Sequence, residues 1–111
     1  MSIEVTPDNL LIQMGYTVND ATLKQIKAIM DSTPGFDKFS KHIFTLIDEV
    51  KRFDGVVALS NSKDVLKVKS HATEKEEIDA FNEYVQHWAD KYKVELQKVD
   101  GKNTYYILGH K

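Results

Sequence analysis

Apolar positions recur along this chain with two different periods, and the switches between the periods divide it into helices and strands. Near the start, Leu10, Leu11 and Met14 share one helical face. Thr6 before them is a capping residue, Pro7 suits a first helical turn, and Asp8 sits well at the positive end of a helix dipole. With Gly15 as a stop, this predicts a helix over residues 7–14, too short to stand alone and therefore bound to dock its apolar face. Asn19 or Asp20 opens a second helix to about residue 31, with Leu23, Ile26 and Met30 at helical spacing, and Ser32-Thr33-Pro34-Gly35 breaks it. The longest stripe follows: Phe36, Phe39, Ile43, Leu46, Ile47, Val50 and Phe53. It predicts a third helix over residues 36–53, a rod about 27 Å long, ended by Asp54-Gly55. Asp48 and Arg52 fall one turn apart on its wet side, the spacing of a helix-stabilising ion pair.

The period then drops to two. Residues 56–60 and 65–70 read as strands around the turn formers Asn61-Ser62-Lys63-Asp64. In the second strand Leu66 and Val68 alternate with Lys67 and Lys69, so one face is buried and one is wet. Thr73-Glu74-Lys75-Glu76 fits a capping box, with Thr73 as the cap and Glu76 reaching back. A fourth helix runs from there to about residue 91 on the stripe Ile78, Phe81, Val85, Trp88 and Tyr92. The last segments, 94–99 and 104–108, form a hairpin around Asp100-Gly101, a strong turn signal. The fold class is therefore α+β: N-terminal helices followed by β-β-α-β-β, with a four-stranded antiparallel sheet and helices packed on one face. One domain covers residues 1–111, with a helical N-terminal segment (1–34) and a core of one helix plus ββαββ (35–111).

Composition narrows the function classes. The chain has 111 residues, 41% hydrophobic and 29% charged, with a formal net charge of −2. That is the balance of an ordered globular domain, and it is too neutral for bulk neutralisation of nucleic acid. Residues 35–72 carry a net +2, and the segments on either side carry −2 each. No stretch is apolar enough to cross a bilayer. The run Leu10-Leu11-Ile12 is too short for a secretory leader, so the expected compartment is the cytoplasm. With no cysteine, disulfides, thiolate nucleophiles and thiolate metal sites are excluded.

Candidate chemistry is sparse. Of the histidines, His42, His71, His87 and His110, only His87 has metal-like company: Glu83, His87 and Asp90 share one face of the fourth helix. A solvated polar face explains that trio as well, and no metal is expected. Ser60, Ser62 and Ser70 lie near His71, but no Gly-x-Ser-x-Gly turn presents a nucleophile. The five glycines stand alone at element ends, with no phosphate-binding loop among them, so no cofactor is expected. One patch remains. Lys67, Lys69 and His71 share the outer sheet surface with one of Tyr105 and Tyr106, which must point to opposite faces. Lysines and an aromatic ring on an open sheet suit a ligand face, and lysines also keep a sheet from pairing edge to edge.

The element order, with Gly55-Val56-Val57-Ala58-Leu59 following a long helix into a hairpin, resembles the roadblock and profilin-like class of small α+β domains over residues 36–109. The resemblance implies self-association and a regulatory role, although that family's last sheet strand and final helix have no counterpart here. The sequence thus predicts a small, non-enzymatic, cytoplasmic interaction or regulatory domain that binds a protein partner or itself and no membrane. The alternative is a nucleic-acid binder, using the basic sheet face or helices two and three as a helix-turn-helix with the hairpin as a wing; Lys38, Lys41 and Arg52 would serve that helix.

Overall fold

A computed structural model describes residues 5–60 and 63–111, so Asn61 and Ser62 of the expected first turn lie outside the described residues. The elements in chain order are α1 (Pro7–Met14), α2 (Asp20–Ser32), α3 (Phe36–Val50), a 3-10 turn (Lys51–Phe53), β1 (Gly55–Leu59), β2 (Leu66–Ser70), α4 (Lys75–Tyr92), β3 (Val94–Lys98) and β4 (Thr104–His110). The fold is α+β, with helices packed against a four-stranded antiparallel sheet.

Helix boundaries follow local chemistry with two exceptions. The Thr6 side chain accepts the Asn9 N–H at 3.1 Å, which caps α1. At α2 a reciprocal box forms: Asn19 Oδ1 accepts from the Thr22 N–H at 2.9 Å, and the Asn19 N–H donates to Thr22 Oγ1 at 3.0 Å. The box expected at α4 does not form. The helix starts at Lys75, so Glu74 occupies the cap with no side-chain bond and Thr73 sits one residue too early to reach the exposed N–H groups. Glu76 and Glu77 in the first turn supply dipole compensation instead. The second exception is α3, which tightens at Lys51–Phe53 into a turn of three residues. Three residues per turn aligns positions i and i+3. The expected Asp48–Arg52 pair is accordingly replaced by Asp48–Lys51 at 3.8 Å and Arg52–Glu49 at 3.1 Å. All four side chains are exposed, so these pairs add little to stability.

The sheet order is β1-β2-β4-β3. Since β4 is antiparallel to both of its neighbours, β2 and β3 run the same way with β4 between them, and α4 makes the crossover. Phe39, Ile43, Leu46 and Val50 of α3 are fully buried, as are Phe81 and Val85 of α4, beneath Val57, Leu66, Val68, Tyr105 and Ile107 of the sheet. The N-terminal segment belongs to the same core: Leu10 and Leu11 of α1 and Ile26 and Ile29 of α2 are each 0% exposed.

Strand β4 extends two residues beyond its expected end because of a tertiary contact. The His110 N–H donates to the Pro34 carbonyl at 2.8 Å, which ties the strand to the turn between α2 and α3. Gly109 lies inside the strand with φ +151, and a Cβ there would sit 2.8 Å from the Pro34 carbonyl oxygen. Gly35 makes the matching approach: φ is +66, and a Cβ would meet the His110 Cβ at 2.6 Å. Both residues thus permit a close passage of two backbones, where local pattern marks only element ends. Gly109→Ala is expected to destabilise the protein by about 3 kcal/mol, because the opposing atoms are the Pro34 backbone and its rigid ring, which cannot move aside. Gly101→Ala, with φ +73 but nothing within 4 Å, should cost only the left-handed strain of about 1 kcal/mol. Urea midpoints of the two variants measure the contrast.

Candidate binding surface on the open sheet face

The pleat of β2 and β4 sorts the candidate residues. Val68 lies opposite Tyr105 and Lys67 opposite Tyr106, with Lys69 opposite Thr104. Val68 faces the helices, so Tyr105 does too. Its ring is 3% exposed and lies 6.3 Å from that of Phe81, and its hydroxyl donates to Asn82 Oδ1 at 2.9 Å. Tyr105 is therefore a core residue and leaves the candidate face. Tyr106 is the wet tyrosine, half-buried beside the half-buried Lys67 and Lys69.

Neighbouring strands complete this surface. Val56 lies opposite Lys69 and Ala58 opposite Lys67 on β1, and Gln97 of β3 lies opposite Tyr106. Val56 is 40% exposed. Lys63 was not expected here. Its ammonium lies 5.0 Å from the Tyr106 ring centroid and donates to Gln97 Oε1 at 3.0 Å. Only the hairpin register could have shown that, since Lys63 reads locally as a turn residue. The face thus gathers Lys63, Lys67 and Lys69 around one ring, with aliphatic side chains at the β1 side.

His71 lies just past β2 and is exposed, and its N–H donates to the Asp54 carbonyl at 2.9 Å. Ser70 is a latch: its hydroxyl donates to the Phe53 carbonyl at 2.6 Å and accepts the Ala72 N–H at 3.0 Å. That places the serine in the β2–α4 corner, its hydroxyl engaged by main-chain groups. Ser60 is buried, and Ser62 lies outside the described residues. Glu83, His87 and Asp90 are all exposed on α4. Among the described residues, no group of three or more His, Asp or Glu side chains is placed to hold a metal ion, and no helix is long and apolar enough to cross a membrane.

A second grouping lies on the far side of the helices, in the seam between α3 and α4. The His42 ring stacks on Tyr92 with centroids 3.6 Å apart and planes at 12°. Trp88 Nε1–H donates to the His42 carbonyl at 3.0 Å. Below this stack, a depression of about 170 Å³ lies against Thr45, Glu49, Tyr84 and Trp88, and a shallower one of about 410 Å³ lies against Phe53, Ala80 and Glu83. Burial, followed by the charge of Lys41 and Lys91, lowers the His42 pKa from its ordinary value. Burial, followed by the Glu49 carboxylate, raises that of the Tyr84 hydroxyl. The sequence lists the aromatic residues as core stripe. Their clustering with His42 depends on how the two helices are aligned.

No known protein family, curated protein or solved structure matches the chain. The likeness to roadblock and profilin-like domains therefore stays one of element order.

The seam yields a titration test. With its folded pKa below the ordinary 6.5, His42 favours the neutral form. Its contribution to stability is present above that value and is lost as pH falls through the folded-state pKa. An NMR titration should place the His42 midpoint below 6.5, and Lys91→Met should raise it by removing a like charge.

Proposed function

We propose that this protein is a non-enzymatic binding module that docks an acidic segment of a partner protein on the open face of its sheet. The observation behind the proposal is the cross-strand Lys67–Tyr106 pair, flanked by Lys69 and Lys63, on the sheet face opposite the one that packs on the helices. Three lysine ammonium groups favour carboxylates by charge complementarity. Val56 and Ala58 beside them give the docked segment apolar area to bury, as an interface core requires. Two acidic residues border the group: Asp64 adjoins Lys63 in the turn before β2, and Glu95 lies two residues before Gln97 on β3.

The same lysines favour the nucleic-acid reading, but the aromatic inventory weakens it. Binding of a single strand draws on several rings that stack successive bases. Tyr105 faces inward, so Tyr106 is the one ring that β4 offers on this surface, and Lys63 already lies over it. The helix-turn-helix variant is weaker again: α3 spends Phe36, Phe39, Ile43, Leu46, Ile47 and Val50 on the core, and Arg52 lies over the Phe53 ring and pairs with Glu49.

A displayed random-peptide library selected on the immobilised protein tests the proposal. Enriched peptides should be acidic with aliphatic neighbours, and Lys67→Glu with Lys69→Glu should reduce their binding at least about tenfold, as loss of charge-assisted contacts does. Enrichment without acidic bias, or binding indifferent to the charge reversal, overturns the proposal. A single-stranded DNA or RNA oligonucleotide serves as the competing probe. Salt-sensitive binding lost in the same variant, with no acidic peptide selected, would make the nucleic-acid reading the correct one.

A further inference from the structure

The two edges of the sheet are finished differently. At the β1 edge, the Leu59 N–H donates to the Tyr16 hydroxyl at 3.1 Å, and the Gln25 side-chain amide donates to the Ser60 carbonyl at 3.2 Å. The loop after α1 and the middle of α2 thus hold the Leu59 end of that edge from within the chain. At the other edge, among the described residues, no strand lies beyond β3.

The direction of the β3 backbone follows from its end contacts. The Lys93 carbonyl accepts the Lys111 N–H at 2.8 Å, and the Val99 N–H donates to the Thr104 carbonyl at 2.9 Å. Odd-numbered residues of this strand therefore turn their main chain toward β4. Val94, Leu96 and Lys98 turn theirs outward, with one N–H and one carbonyl each. The irregularity in this pair does not spoil that row. Glu95 lies opposite Gly109 and Leu96 opposite Ile107, so Leu108 on β4 is the extra residue and β3 keeps a regular ladder. The side chains of Val94 and Leu96 point inward, where α4 runs beside the strand. Between strand and helix lies a groove of about 380 Å³, walled by Gln86, Ala89 and Asp90 of α4, by Leu96 and Lys98 of β3, and by Lys111 at its end. Lys98 donates to the Lys102 carbonyl at 3.1 Å and takes part in neither ion pair among the described residues.

We propose that β3 and this groove take an extended peptide of a partner protein as a fifth strand, with an aliphatic side chain seated beside Ala89 and Leu96 and an acidic side chain two residues away on Lys98. The backbone row supplies affinity and the groove supplies selection, as in strand addition generally. The period of two sets the spacing: added residues opposite Leu96 and Lys98 both point toward α4. Charge fixes the second position, because Lys98 offers an ammonium to whatever lies opposite it. Glu95 and Lys98 on the strand keep indiscriminate edge pairing away. This surface is separate from Lys67 and Lys69, so the proposal does not rest on the open-face reading.

The test uses the intact, 15N-labelled protein and the end-blocked peptide Glu-Thr-Val-Thr-Val at millimolar concentration. In antiparallel pairing its first, third and fifth residues face Lys98, Leu96 and Val94. Amide shifts should concentrate on those three residues and on Ala89, and leave Lys67, Lys69 and Tyr106 unmoved. N-methylation of the central valine removes a hydrogen bond to β3 and should abolish binding, whereas N-methylation of the first threonine should be tolerated. Lys98→Glu should weaken this peptide about tenfold and favour its Lys-for-Glu analogue instead. The absence of β3 shifts, shifts confined to the lysine face, or equal loss from both methylations overturns the proposal. Lys67→Glu with Lys69→Glu should leave this binding intact, so failure here and failure of the open-face reading are separable.

Discussion

Neighbouring residues of a β-strand leave the sheet on opposite sides, and in this small domain the helices cover one of those sides. Tyr105 and Tyr106 show the force of that constraint. One ring enters the core against Phe81 and ties its hydroxyl to Asn82, while the next stands among lysines. A one-residue slip of β4 against β2 would exchange them. The same slip made by β2 instead would bury Lys67 and Lys69 and expose Leu66 and Val68. The register is thus held by the cost of burying charge as well as by burial of aliphatic area. The grouping of three lysines on one surface is a by-product of the same sorting.

The helical layer is fixed to the sheet at places where backbone meets backbone. The Pro34–His110 hydrogen bond joins the α2–α3 turn to the end of β4, and Gly35 and Gly109 make the approach sterically feasible. At the opposite corner Ser70 bonds to Phe53, and His71 to Asp54, which itself adopts φ 54. Lys93, with φ 57, turns α4 directly into β3. These contacts sit at the two ends of the sheet, so α3 is held at its start by one and at its finish by the other. That explains why a helix with so wide an apolar stripe has a single seat on the sheet.

Much of the fold was legible from local rules. Alternation in residues 66–69 gave the buried and wet faces, and stripes gave α3 and α4 with most of their inward residues, though Ile78 stays outside the core and Ala89 enters it. The chain could not show what depends on frame or on distant partners. Thr73 and Glu76 satisfy a capping pattern, yet the helix frame starts at Lys75, and a shift of one residue takes the hydroxyl out of reach. Asp48 and Arg52 have α-helical spacing, but the chain tightens between them. The candidate face was only partly visible. Lys67, Lys69 and a tyrosine followed from strand parity, whereas Lys63 and Gln97 join it through the order β1-β2-β4-β3, and no local signal encodes strand order. The His42–Tyr92 stack was hidden for the same reason, since it needs the axial alignment of two helices.

The unequal treatment of the two sheet edges follows from composition. Strand β1 reads Gly-Val-Val-Ala-Leu, with no charge and with high β-propensity, the kind of edge that invites unwanted pairing. At its Leu59 end the Tyr16 hydroxyl, from the loop after α1, accepts the outward N–H, and Gln25 of α2 holds the Ser60 carbonyl just past the strand. The short apolar helix at the start of the chain thus has a structural task beyond filling the core, and the full burial of Leu10 and Leu11 keeps it in place. Strand β3 carries Glu95, Gln97 and Lys98, which already discourage casual association, so it can stay open at little risk. An edge protected by charge still excludes most strands while accepting one whose charges are complementary. Covering β1 and charging β3 are therefore two answers to one hazard, and only the second leaves a surface that a selected partner can use.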